Sequence, residues 1–291
     1  MQIEPIGKIR CTVGEGPIWD PVTQALYFVD LIARKLWRYQ SEDEAFTHWD
    51  VPSMIGSFAL RRDDNAIVAL QDGIHSLNLA NGATSLICDP QNGDTETQLN
   101  DGKVDRQGRF LVGSQPRSIQ DTRALGRLYK IDTDLRPTLL DDHFVITNGP
   151  CWNPDGDIFY FADSTRHVIY AYDYCVRTGE ISGKRVFARI DSFPGIPDGA
   201  TVDVRGRVWV AICGAGKIVC FSPSGTVERI IDVPTPLVSS VTFGGPRLDQ
   251  LYFTSINGAA IGLGMHDELS GGTFRIRNIG AEGLPEPRFN G

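Results

Sequence analysis

Hydrophobic residues along the chain fall in short alternating runs bounded by Gly, Pro, Asn and Asp, and no stretch of a dozen residues carries a convincing helical stripe. Alternation of period two marks strands, and clusters of turn residues mark their ends. Stacked together, the runs define a repeating unit: a turn rich in Asp and Gly, a β-branched or aromatic strand, a second turn and another strand. WDPVTQALYFVD (19–30) leads to KLWRYQ, RRDDNAIVAL (61–70) to GIHSLNL, and VDRQGRFLVGS (104–114) to GRLYKID. WNPDGDIFYFAD (152–163) leads to HVIYAYDY, VDVRGRVWVAI (202–212) to GKIVCFS, and FGGPRLDQLYFTS (243–255), after a longer interval, to GGTFRI. The second strand of each unit begins near residues 26, 67, 110, 158, 208 and 251, at spacings of 41, 43, 48, 50 and 43.

An all-β period of about 40–50 residues predicts one propeller blade per repeat. The expected fold is an all-β, six-bladed β-propeller with four antiparallel strands, A to D, in each blade, filling residues 1–291 as one domain. In the first blade A falls at about 16–20, B at 25–30, C at 34–40 and D at 45–50. The sixth unit lacks a fourth strand, and the N-terminal IEPIGKI is expected to supply it and close the ring, removing an open sheet edge. A β-sandwich needs no fixed period of this length, and the Gly-His and Trp-Asp signatures of WD repeats do not recur.

Composition narrows the chemistry. The formal charge is −8, with 28 Lys and Arg against 36 Asp and Glu, so no nucleic-acid partner is expected, because phosphates need clustered cations. No apolar run reaches membrane-spanning length and no signal peptide is visible. The six cysteines form no CxxC pair and read as reduced core residues of a cytoplasmic protein. A closed ring needs no partner to cover an edge, so a monomer is expected.

The repeat register locates a candidate site. Counting back about ten residues from each second strand reaches Glu15, Ser57, Asn100, Asn148, Asp198 and Val241. Equivalent positions meet at one end of the A strands, around the central channel. Two carboxylates and two amides there form a hard oxygen donor set suited to a divalent ion, and the two charges would balance it. Read singly, Asn148-Gly149 and Asp198-Gly199 are ordinary turn dipeptides; four polar residues in one register favour a site. The same register puts two long B–C loops, 115–125 and about 256–271, at the ligand end, where loops commonly carry specificity. Other chemistries fit poorly. There is no GxSxG elbow and no HExxH; His48, His75, His143, His167 and His266 share no ligand spacing. Gly214-Ala215-Gly216-Lys217 reads as a hairpin turn rather than a phosphate loop.

The stretches GEGPIWD (14–20), LYFVD (26–30), LNDGKVDRQGRF (99–110), ITNGPCWNPDG (146–156), PDGATVDVRGRVWVA (197–211), FGGPRLDQLYFTS (243–255) and SGGTF (270–274) span nearly the whole chain. In this order they resemble the SMP-30/gluconolactonase/regucalcin-like family of sugar lactonases, most closely its bacterial aldonolactonase members. The resemblance implies a six-bladed propeller with one divalent metal in the channel, bound by Glu15, Asn148 and Asp198, with Asn100 touching substrate. Many relatives place an Arg two residues before that Asn; here the position is Gln98.

The expected function is metal-dependent hydrolysis of an aldono-1,4- or 1,5-lactone to the aldonic acid, the ion being Ca, Mg, Mn, Zn or Fe. Asp198 is the expected general base, or a ligand only. Asn100 and Gln98 would orient ring hydroxyls, and Met54 and the 115–125 loop are weaker candidates for the pocket wall. The alternatives are a non-catalytic calcium- or partner-binding propeller, and a broader esterase or organophosphate hydrolase on the same metal.

Overall fold

Each repeat forms a four-stranded antiparallel sheet, and the computed structural model arranges six such sheets as propeller blades around a common axis. The structure describes residues 1–265 and 267–291; His266, one of the five histidines weighed above, lies outside them. In the first blade the strands are Gly14–Asp20, Ala25–Asp30, Lys35–Gln40 and Phe46–Asp50. Every residue of the second strand is buried, whereas the fourth is half-buried to exposed. The inner strands therefore read as continuous apolar runs, and the outermost strands carry polar residues that blunt the open edge.

The ring closes as expected. Gln2–Pro5 pairs with Phe274–Arg277 of the last blade, from Gln2 opposite Arg277 to Pro5 opposite Phe274. Arg275 Nε donates to Glu4 Oε1 at 2.8 Å across this seam. Beside it, Trp19 of the first blade stacks on Tyr252 of the sixth, with ring centroids 5.3 Å apart.

The recurring V-D-x-x-G-R sequence is explained by the turn from A to B. Asp105 Oδ1 accepts the backbone N–H groups of Gln107 and Arg109, and its Oδ2 takes the Arg109 side chain at 2.6 Å. Asp203 repeats the arrangement with Arg205 and Arg207. Gly108 and Gly206 stand at φ of 85° and 77°, a left-handed conformation that a glycine adopts at little cost.

These turns define one end of the ring, and the A strands start at the other. The B–C connections lie with those starts. In the third blade B runs through Phe110–Pro116 and C begins at Gly126; in the sixth the long connection contains a short 3₁₀ turn, Gly258–Ile261. The segment Gly214–Gly216 is indeed the turn joining Val208–Cys213 to Lys217–Phe221. After the last strand the chain runs across the A–B end. Val204 N donates to Glu282 O, Phe289 N to Leu60 O and Asn290 N to Gly108 O. Phe289 is fully buried and Arg288 Nη2 reaches Asp20 at 2.9 Å. The described cysteines are all free thiols, and no helix among the described residues is long and apolar enough to cross a membrane.

Candidate metal centre in the channel

Four A strands carry the residues singled out by register: Gly14–Asp20 carries Glu15, Thr97–Val104 carries Asn100, Thr147–Trp152 carries Asn148 and Ile196–Val202 carries Asp198. Each of these strands breaks register with its B neighbour at that point, between Glu15 and Ile18, Leu99 and Gly102, Asn148 and Cys151, and Pro197 and Ala200. Such bulges re-aim side chains and recur beside functional sites. In the other two blades the register breaks between Ile55 and Ser57 and between Val238 and Ser240. In the sixth blade Val241 packs in the apolar core, and the polar residues beside the break are Ser239 and Ser240, both buried.

Hydrogen bonds tie these strands together. Asn100 Nδ2 donates to Thr147 O (2.8 Å) and to Asn148 Oδ1 (2.9 Å). Asn148 Nδ2 donates to Ser164 Oγ (3.0 Å), which donates to Pro197 O (2.6 Å). Ser57 Oγ donates to Asn100 O at 2.7 Å. Gly149, at φ 61°, lies against the next strand so closely that a Cβ there would meet Asp198 O at 2.7 Å. Asn148 is thus held from both sides, with its Oδ1 turned toward Asn100.

Glu15 and Asp198 are both buried. Burial first, then the charges of Asp198 and Asp101, push Glu15 well above the usual carboxylate range; burial and Asp101 do the same to Asp198. Among the described residues neither has a cationic side chain within ion-pair distance. Two buried, uncompensated carboxylates are costly unless a cation or proton joins them. Their chemistry therefore fits a divalent ion, with Asn148 Oδ1 as a neutral third donor. No three His, Cys, Asp or Glu side chains gather as a donor cluster among the described residues, so a site here depends on the amide as well as the two acids.

Gln98 is buried on the same strand as Asn100, opposite Gln115, and its Oε1 has no hydrogen-bond partner. Met54, in the connection leading to the second A strand, is half-buried. Register counting passed over four residues. Asp101 accepts Gly149 N–H (2.9 Å) and Gly102 N–H (2.8 Å). Lys103 crosses from the third blade to the fifth, donating to Ala200 O at 3.0 Å. Ser164 is the bridge between Asn148 and Pro197. The Cys213 thiol hydrogen-bonds Asp198, and burial and then that carboxylate hold it protonated well above its ordinary range. The sequence carries no signal for Asp101: only the folded bulge lets two consecutive side chains, Asn100 and Asp101, both engage the neighbouring strand.

A six-bladed ring with buried acids and amides on its A strands defines the class. The family model described as the SMP-30/Gluconolactonase/LRE-like region matches residues 13–257, and the chain belongs to that family. It is 34% identical to pentonolactonase XacC of Haloferax volcanii over 297 residues, covering 99% of this chain and 98% of that protein. It is 28% identical to regucalcin of Bos taurus, covering 100% and 99%. The solved structure of luciferin-regenerating enzyme superposes with a TM-score of 0.92 at 28% identity, covering 99% of this chain and 98% of that one.

Proposed function

We propose that this protein is a metal-dependent lactonase that opens a sugar lactone to its aldonic acid, with Glu15, Asn148 and Asp198 holding the ion. The observation that carries this reading is the pair of buried, uncompensated carboxylates of Glu15 and Asp198, with Asn148 on the A strand of the blade between those of Asn100 and Asp198. The relationship to a pentonolactonase along the whole chain supports the substrate class.

When bound, a divalent ion supplies Lewis-acid polarisation of the lactone carbonyl. The remaining steps belong to side chains. Asp198 takes a proton from the water that attacks the carbonyl carbon, forming the new C–O bond. The ring C–O bond then breaks, and the proton passes to the departing ring oxygen, which becomes a hydroxyl. Asn100 commits both amide hydrogens to the neighbouring strand, so it offers substrate only the acceptor Oδ1. Gln98 Oε1 is a second unpartnered acceptor. Paired acceptors suit a ligand rich in hydroxyl donors, which favours a polyhydroxylated lactone over a simple ester.

The same oxygen donors would also suit a propeller that holds Ca²⁺ without turnover. A pH-stat panel of aldonolactones and simple esters, run on chelator-stripped protein reloaded with single ions, separates the readings. Lactone opening that vanishes on stripping and returns with one ion is expected. Full activity after exhaustive stripping rejects the metal, and ion binding with no turnover of any lactone leaves the non-catalytic propeller.

A further inference from the structure

The channel has a second end, and the chain's own C-terminal segment stops it. Glu286 reaches in from that segment, and its Oε1 sits 3.2 Å from Lys103 Nζ and 3.5 Å from Thr201 Oγ1. Lys103 is itself buried, and its second partner is Ala200 O, two residues beyond Asp198 on the same strand. Around this pair Cys151, Trp152, Thr201 and Leu284 leave a space of about 10 Å³, enough for one water and for no ligand.

We propose that Glu286 is a positioning residue for the metal-binding end of the channel, acting through Lys103; the inference rests on the metal reading above. Lys103 stands between two sets of acids. Toward the mouth lies Asp101, two residues earlier on its own strand; toward the floor lies Glu286. Asp101 is the acceptor that fixes Gly149 N–H and with it Asn148. Glu286 holds the ammonium at the floor, against the strand that bears Asp198, and leaves Asp101 to its backbone partners. Without the Glu286 charge, Asp101 becomes the nearest acid for a buried ammonium, and a carboxylate drawn to Lys103 releases Gly149. Burial alone would lower the Lys103 ammonium; Glu286 first, with Cys151 and Asp101, carries it above its ordinary range.

The test uses the full chain and Mn²⁺ alone, whose free EPR signal disappears on binding. Glu286→Gln is expected to weaken Mn²⁺ affinity roughly tenfold or more, as loss of groups that orient ligands does, while Glu286→Asp retains most of it. Adding Glu286→Gln to Lys103→Met is expected to change Mn²⁺ affinity no further, because both act through one contact. The inference is overturned if Glu286→Gln lowers the melting temperature yet leaves Mn²⁺ affinity within about twofold. It is equally overturned if the full loss persists on the Lys103→Met background, a comparison that remains available should Glu286→Gln alone fail to fold. Wild-type protein that leaves the Mn²⁺ signal unchanged removes the metal reading, and this inference with it.

Discussion

Asn100 and Gln98 differ in what they have left to give. Asn100 keeps one acceptor after binding Thr147 and Asn148, and Gln98 Oε1 is wholly unpartnered although buried. An unpaired buried acceptor waits for a donor, and a substrate hydroxyl is the donor that the proposed reaction brings. Gln98→Leu is therefore expected to raise KM for a pentonolactone several-fold to tenfold, the worth of one neutral hydrogen bond. Its kcat should change little, and γ-butyrolactone, which has no ring hydroxyl, should be unaffected; equal losses on both lactones would remove Gln98 from the binding site. Asp198→Asn tests the other half of the chemistry. It is nearly isosteric and relieves a buried charge, so the fold should hold while kcat drops by at least about a hundredfold. Retention of most activity would take the general base away from Asp198.

At the scale of single elements, the closing strand and the A-strand bulges matter most. Gln2–Pro5 contributes a full ladder to the sixth blade, and Glu4 takes both Arg275 and Arg277. Removing residues 1–5 leaves Phe274–Arg277 as an unpaired edge and strands two arginines. The melting temperature is expected to fall by roughly 5–10 °C, with concentration-dependent light scattering from edge-to-edge association. An unchanged melting curve would mean the ring does not need this strand. The strand was legible in the sequence because the sixth repeat is one strand short. The four polar candidate positions on the A strands were legible because a fixed period returns to equivalent places. The bulges were not: one extra residue breaks the alternation on which strand reading depends, so neither Asp101 nor the buried Ser239 and Ser240 of the sixth blade stand out in the sequence. The C-terminal segment was missed for a related reason. AEGLPEPRFNG has no periodicity to read, and its place is set by contacts with distant A–B turns, which only the folded ring brings together.

For the molecule as a whole, the site is a fault in the electrostatics of folding that a metal would mend. Glu15 and Asp198 ionise near pH 4 in an unfolded chain but well above that in the ring. The folded protein therefore binds more protons than the unfolded one between these limits, and its stability falls as pH rises through that window. Other carboxylates work in the opposite sense: Asp20, Asp132 and Asp141 are held below their ordinary range, despite burial, by hydrogen bonds and neighbouring cations, and their contribution is lost in acid. A bare melting curve against pH sums both. Comparison of metal-free wild type with metal-free Glu15→Gln cancels the second set, because only the repelling pair differs. The variant is expected to match wild type in melting temperature near pH 4 and to exceed it by a margin that widens toward neutrality, reaching several degrees. Loading with a divalent ion should raise wild type most at the highest pH, since the ligands must be deprotonated to bind, and should raise the variant little at any pH. A difference between the two metal-free proteins that stays flat from pH 4 to neutrality would show that the carboxylates do not confront one another, and the case for an ion between them would fall with it.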